Sequence, residues 1–144
     1  MSAILNSSAL TPPAVPTIRK ATLADLDALM GLEERCFALD RISRRSFRHL
    51  LTRAHAETLV YEAEGRLRGY VLLLFRQSTP LARLYSIATD PEYRGRGVGE
   101  ALVRASEQLV LDNEASVIRL AAPDGAVRVP LRSTHQRHAA AYGD

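Results

Sequence analysis

The feature that most constrains this chain is a ten-residue turn, Asp90-Pro91-Glu92-Tyr93-Arg94-Gly95-Arg96-Gly97-Val98-Gly99, set between a run with strand character and a run with helical period. Upstream, Ala82 to Thr89 reads as a strand. Downstream, Gly99 to Leu111 repeats apolar residues at helical spacing, with Ala101, Leu102, Ala105, Leu109 and Val110 as expected core contacts. A strand that turns directly into a helix aims the first N–H groups of the helix at whatever lies before them. Gly95, Gly97 and Gly99 remove side chains that would hold an anion off the backbone. The helix end contributes about half a positive charge, and Arg94 and Arg96 add donors. The pattern predicts a site for a phosphate pair. It is not the G-x-G-x-x-G of a dinucleotide fold, and it lacks the lysine followed by serine or threonine of a P-loop.

The rest of the chain supplies a sheet and helices for that turn to sit on. Thr17 to Ala21 predicts a short strand, and Thr22 with Asp25 three residues later is close to a capping box. Leu23, Leu26, Met30 and Phe37 are the expected buried stripe of the first helix. Ser43 reads as an N-cap, and Phe47, Leu50 and Leu51 as the apolar face of a second helix ending near Ala54. Thr58 to Ala63, a turn at Glu64-Gly65, and Arg66 to Phe75 predict an antiparallel hairpin, with Tyr70 to Phe75 buried on both faces. A last strand is expected at Ser116 to Ala121.

At 144 residues, 47% hydrophobic and 24% charged, the chain has the size and composition of one globular domain. Residues 1–16, rich in Ser, Ala, Thr and Pro, read as a flexible leader, 17–121 as the domain, and 122–144 as an irregular tail. No run of eighteen apolar residues and no charged-then-apolar leader occurs, so a soluble cytoplasmic protein with no membrane partner is expected. The net charge of +3 is carried by arginine, since Lys20 is the sole lysine, and favours anionic ligands. The single cysteine, Cys36, reads as a buried thiol, with a catalytic nucleophile as the alternative.

The turn matches the R/Q-x-x-G-x-G/A signature of GNAT acetyltransferases at Arg94, Gly97 and Gly99. The stretch Leu84-Tyr85-Ser86-Ile87-Ala88-Thr89-Asp90-Pro91 resembles the strand before that signature in ribosomal-protein N-terminal alanine acetyltransferases. The resemblance covers about residues 17 to 120. It implies the GNAT acyl-CoA N-acyltransferase fold, an α+β (three-layer α/β) arrangement with a mixed central sheet flanked by helices. It also implies acetyl-CoA as cosubstrate. Ile87, Ala88 and Thr89 would offer backbone groups to the pantetheine and acetyl carbonyl, and Arg94, Gly95, Arg96, Gly97, Val98, Gly99 and Glu100 would wrap the pyrophosphate. In this family the strand splays from its neighbour and the cofactor enters the gap. The implied chemistry is direct attack of an amine, from a small molecule or a protein N-terminus, on the thioester.

The resemblance fails after the last strand. The alanine acetyltransferases carry a glutamate there and a tyrosine-bearing helix beyond it, and these supply base and acid. Here Ala121 holds the glutamate position and nothing downstream reproduces the helix, its strands or the catalytic pair. The catalytic residues are therefore left unassigned. Tyr142 as a substitute acid, and His135 with His138 as a proton-transfer or metal pair, are the candidates the tail offers. No Cys, Asp or Glu completes a ligand set beside the histidines, so no metal is expected. The loss of pattern reads as a shifted reading frame: codons for Pro123 to Arg132, read one nucleotide later, can spell R-S-A-C-L-Y-E. A truncated domain that binds CoA with little catalysis is the alternative function.

Tyr85 and Ser86 are candidates to line the substrate site. Arg41, Arg44, Arg45 and Arg48 form either a solvated helix face or a receiver for an acidic peptide or the cofactor's ribose phosphate. A nucleic-acid binder using the arginines around 41 to 48 and 128 to 137 is a third class, but no recognition motif accompanies them.

Overall fold

The computed structural model describes residues 15–53, 55–75, 81–112, 116–117 and 126–128. Its order is β1 (Thr17–Lys20), α1 (Leu26–Cys36), α2 (Arg44–Thr52), β2 (Ala56–Ala63), β3 (Arg66–Phe75), β4 (Leu81–Thr89), α3 (Val98–Asp112), β5 (Ser116–Val117) and β6 (Ala126–Arg128). The strands form one sheet in the order β1-β2-β3-β4-β5, with β6 also paired to β4. The first three pairings are antiparallel and β4 with β5 is parallel, so the sheet is mixed as expected.

Alternation along the central strands gives the sheet two apolar faces, and each is covered by helix. On one face Val71, Leu73, Leu84 and Ile87 pack with Val98, Leu102, Val103 and Val110 of α3. On the other, Val60, Tyr70 and Leu72 pack with Leu26, Leu29 and Leu32 of α1 and Phe47 of α2, whose ring meets that of Tyr70 edge-on at 5.5 Å. Both faces of β3 are therefore dry: Tyr70 to Leu73 are fully buried, as its unbroken apolar run predicts, while Leu74 and Phe75 are only half-buried.

The local signals behave as their chemistry dictates, with one shift of phase. Thr22 and Asp25 form the full capping box, and Asp25 is further held by Arg19 at 2.9 Å. The box opens a single tight turn, Leu23–Asp25, before α1 begins at Leu26. That turn advances by a third of a circle per residue rather than the α-helical 100°, so the buried stripe becomes Leu26, Leu29 and Leu32. Leu23 is left 49% exposed, and Met30 and Phe37 are half-buried rather than central. Ser43 caps α2 by accepting from the Ser46 N–H at 3.1 Å. In α3, Leu102 and Val110 are buried as expected, but Ala101, Ala105 and Leu109 are half-buried, and Val98, Val103 and Ser106 carry the rest of that face.

Residues 1–14 of the expected leader, 118–125, and the tail from 129 onward lie outside the described residues. The last expected strand is therefore described only at Ser116–Val117. Within the span expected to be irregular, Ala126–Arg128 forms β6.

Candidate functional site

The site is built at the carboxyl end of β4, where the chain leaves the sheet. Asp90 closes the strand, and its carboxylate accepts the Glu92 N–H at 3.0 Å, starting a short helical turn over Pro91–Tyr93. The Asp90 carboxylate is 3% exposed and is flanked by Arg68 at 3.2 Å and Arg35 at 3.3 Å. Burial alone would raise this acid. The Glu92 amide and the two guanidiniums outweigh burial and hold it below its ordinary value. Arg68 and Arg96 both stack on the Tyr93 ring, at 4.3 and 4.2 Å. The turn is thus anchored at its start by a buried charge cluster and along its length by stacked arginine.

Beyond it, Gly95 and Gly97 adopt φ of +81° and +80°. A Cβ at either would meet nothing within 4 Å, so the glycines are there for backbone conformation and the space before them is open. Val98 opens α3, whose first helical bond is Ala101 N–H to Gly97 O at 3.0 Å. The N–H groups of Val98, Gly99 and Glu100 precede that bond and are the ones a helix start presents to an anion. The Glu100 carboxylate is drawn to Arg104 at 2.7 Å, along the helix. Arg94 donates from Nε to the Thr89 carbonyl at 3.2 Å, and both Arg94 and Arg96 are exposed.

Gly69 on β3 sets how closely this turn sits on the sheet. A Cβ there would lie 2.9 Å from the Ala88 carbonyl oxygen, 2.9 Å from Val98 Cγ1 and 3.3 Å from Leu102 Cδ1. The first turn of α3 rests on the missing side chain. Gly69→Ala is expected to destabilise the protein by about 1–3 kcal/mol, since backbone and helix must separate to admit one methyl group. Urea denaturation followed by circular dichroism reads this, and an unchanged midpoint would remove Gly69 from the argument.

β4 carries the other half of the site. Its pairing with β3 shifts between Leu73↔Leu84 and Leu72↔Ser86, leaving Tyr85 as the extra residue of a bulge. The bulge turns two consecutive side chains, Tyr85 and Ser86, toward the α1–α2 layer. Ser86 Oγ lies 2.8 Å from the Tyr70 hydroxyl, which donates to Glu33 Oε2, while Glu33 Oε1 accepts the Ile42 N–H at 2.8 Å. All three side chains are fully buried. Sequence reasoning named Ser86 and passed over Glu33 and Tyr70. Thr89 Oγ1, also fully buried, has no hydrogen-bond partner among the described residues.

The outer edge of β4 is divided. β5 pairs with Leu81 and Ala82, whereas Ser86, Ile87 and Ala88 pair antiparallel with Arg128, Val127 and Ala126 of β6. Ile87 and Ala88, expected to offer backbone groups to pantetheine, therefore lie in register between β3 on one side and β6 on the other. The two parts of the expected ligand site differ in this respect: the Cβ positions of Gly95 and Gly97 face empty space, whereas the strand edge is covered.

The remaining sequence candidates sort plainly. Cys36 is half-buried, its thiol donates to the Thr89 carbonyl at 3.4 Å, and burial pushes it above its ordinary value, the opposite of an activated nucleophile. Arg44 pairs with Asp27 at 2.7 Å, and Arg41 donates to the Phe37 and Glu34 carbonyls. Ala121, His135, His138 and Tyr142 lie outside the described residues. Among the described residues no group of three metal-binding side chains gathers, and no helix is long and apolar enough to cross a membrane.

The acetyltransferase (GNAT) family profile matches residues 26–132. A Bacillus subtilis (strain 168) protein, named as a candidate ribosomal protein bS18-alanine N-acetyltransferase, is 30% identical over 103 residues, which cover 72% of this chain and 67% of the relative. The crystal structure of the Escherichia coli ribosomal-protein-S18-alanine N-acetyltransferase superposes with a TM-score of 0.63 at 22% identity, over 69% of this chain and 61% of that one. The Thermoplasma acidophilum PaiA N-acetyltransferase in complex with coenzyme A gives 0.63 at 17% identity, over 71% and 76%.

Proposed function

The chain belongs to the acetyltransferase (GNAT) family, and from that premise we propose that it is an N-acetyltransferase drawing its acetyl group from acetyl-CoA. The observation that carries the reading is the strand, turn and helix from Thr89 to Glu100, with two glycines at positive φ over open space and a helix start behind them. The residues present fit a pyrophosphate there, and the Thr89 hydroxyl, without a hydrogen-bond partner among the described residues, offers a further polar group at the end of β4. Gly95 to Gly99 would hold the phosphates, with Arg94 and Arg96 adding charge at the rim. Acetyl-CoA would supply an acetyl thioester, and attack of an amine on its carbonyl carbon would form the amide, break the C–S bond and release CoA as the free thiol.

This chain's own residues contribute placement rather than covalent chemistry. The Arg68–Asp90–Arg35 cluster fixes the start of the turn, Gly69 seats α3 on the sheet, and the Tyr85 bulge re-aims the strand beside the turn. The acceptor is an amine of a small molecule or of a protein N-terminus. The name of the B. subtilis relative supports the second. The test is release of free CoA thiol on mixing protein, acetyl-CoA and acceptor amine. No release, and no heat on titrating acetyl-CoA, sinks the proposal.

A second reading, a domain that holds CoA weakly and turns over little, is favoured by β6. The strand covers Ser86 to Ala88, the edge assigned to pantetheine. If strand and ligand compete, apparent affinity is reduced by the fraction of molecules with β6 undocked. The double variant Val127→Pro/Arg128→Pro tests this. Successive N–H groups on a strand point to opposite sides, so one of the two prolines removes a donor facing β4. Acetyl-CoA affinity is expected to rise about tenfold. Unchanged affinity would show that β6 and the ligand do not compete.

A further inference from the structure

On the α1–α2 face, beside the Tyr85 bulge, lies a cleft of about 620 Å³ whose wall is α2 and whose floor includes Leu74 and Tyr85. It is in the range of small-molecule pockets. Its charge is one-sided. Among the described residues that line it, Arg45, His49 and Arg53 stand at i, i+4 and i+8, one face of α2 and its C-terminal cap, together with Arg41, against a single carboxylate, Asp40. Arg41 already donates to two backbone carbonyls. Arg45 and Arg53 have no ion pair among the described residues, although the same surface shows that pairs form where a carboxylate is in reach, as Arg44 does with Asp27. Asp40, at the rim, is held at φ +59°, a conformation uncommon for a residue with a side chain.

We infer that this cleft receives the acceptor and selects one that carries anionic groups beside its amine. Resting on the acetyltransferase reading, the inference adds a substrate class to it. Three features point the same way. Tyr85 belongs both to the cleft and to the bulge of β4, so an occupant lies against the strand that leads into the glycine turn. The apolar floor at Leu74 and Tyr85 suits the carbon skeleton of an amino acid or short peptide. Arg45 and Arg53, on a helix tied down by the Ser43 cap and by Phe47 in the core, present guanidiniums suited to carboxylates. An amine flanked by basic groups would instead meet repulsion from the same residues.

The test is fluorescence-anisotropy or calorimetric titration, at low and at 0.5 M salt, of three probes. They are an Ala-Glu-Asp-Glu peptide, an Ala-Lys-Arg-Lys peptide and free aspartate. The wild-type protein is compared with Arg45→Glu/Arg53→Glu, a surface change whose fold is checked by circular dichroism. The acidic peptide is expected to bind at least about tenfold more tightly than the basic one, the preference shrinking at high salt and reversing in the double variant. Aspartate binding as well as the acidic peptide assigns a small anionic amine. Binding of the peptide alone assigns an acidic protein N-terminus. Equal binding of the two peptides by the wild-type protein, or a preference that survives Arg45→Glu/Arg53→Glu, overturns the inference. The titrations need no acetyl-CoA, so charge selection without thiol release would uphold the cleft while sinking the transferase reading.

Discussion

Gly97→Glu is expected to weaken acetyl-CoA binding by at least about a hundredfold. Two terms add. Residue 97 sits at φ +80°, where a side chain costs about 1–2 kcal/mol of local strain. The new carboxylate would also stand in the open space before the glycine, where the phosphates are assigned. Two like charges at 4 Å repel by about 1 kcal/mol in water and about 4 kcal/mol near a protein surface. Gly97→Ala separates the terms, because its Cβ enters empty space and brings strain without charge. Calorimetry should find the alanine variant weakened far less than the glutamate one. Equal losses would mean that backbone conformation alone carries the effect, and wild-type affinity in Gly97→Glu would place the pyrophosphate elsewhere.

Glu33→Ala is expected to cost about 3 kcal/mol of folding stability. The carboxylate is fully buried and accepts from the Ile42 amide and the Tyr70 hydroxyl, so its removal orphans the Ile42 N–H, leaves the Tyr70 hydroxyl to Ser86 Oγ, and opens a void in the core. For a chain of this size the melting temperature should fall by about 10 °C. Glu33→Gln keeps an acceptor at the same place and should lose about a third as much. A melting temperature within about 2 °C of wild type for the alanine variant would sink the account. The loss also has a local reading, since Glu33 ties Ile42, and with it the Asp40–Ser43 segment at the cleft, to α1.

What sequence made legible follows from which interactions are local. The hairpin turn at Glu64-Gly65, the run Arg66 to Phe75 and the Ser43 cap are set by neighbours within a few residues, and the structure has them where the pattern puts them. The glycine turn was legible for the same reason, because positive φ at Gly95 and Gly97 is a property of the backbone itself. The stripe of α1 was not, because a capping box marks where a helix begins without telling whether its first turn is tight or α-helical. Glu33 was passed over because a glutamate on a helix reads as solvated, and its partners Ile42, Tyr70 and Ser86 come from a loop and two strands. β6 was invisible for a related reason. Three residues are too few to show a period, and among the described residues the partner of Ala126–Arg128 is the edge of β4, some forty positions upstream.

The covered edge of β4 also bears on self-association. A strand with a row of open N–H and C=O groups is a template for any other strand, including one from a second copy of the same chain. β5 takes Leu81 and Ala82 and β6 takes Ser86 to Ala88, so β6 shields the stretch of edge nearest the glycine turn. Freeing that stretch for a ligand frees it equally for a neighbour. The proline variant that gains affinity for acetyl-CoA should therefore also be the one whose sedimentation depends most on concentration, and saturating ligand should suppress that dependence by taking the place of the strand.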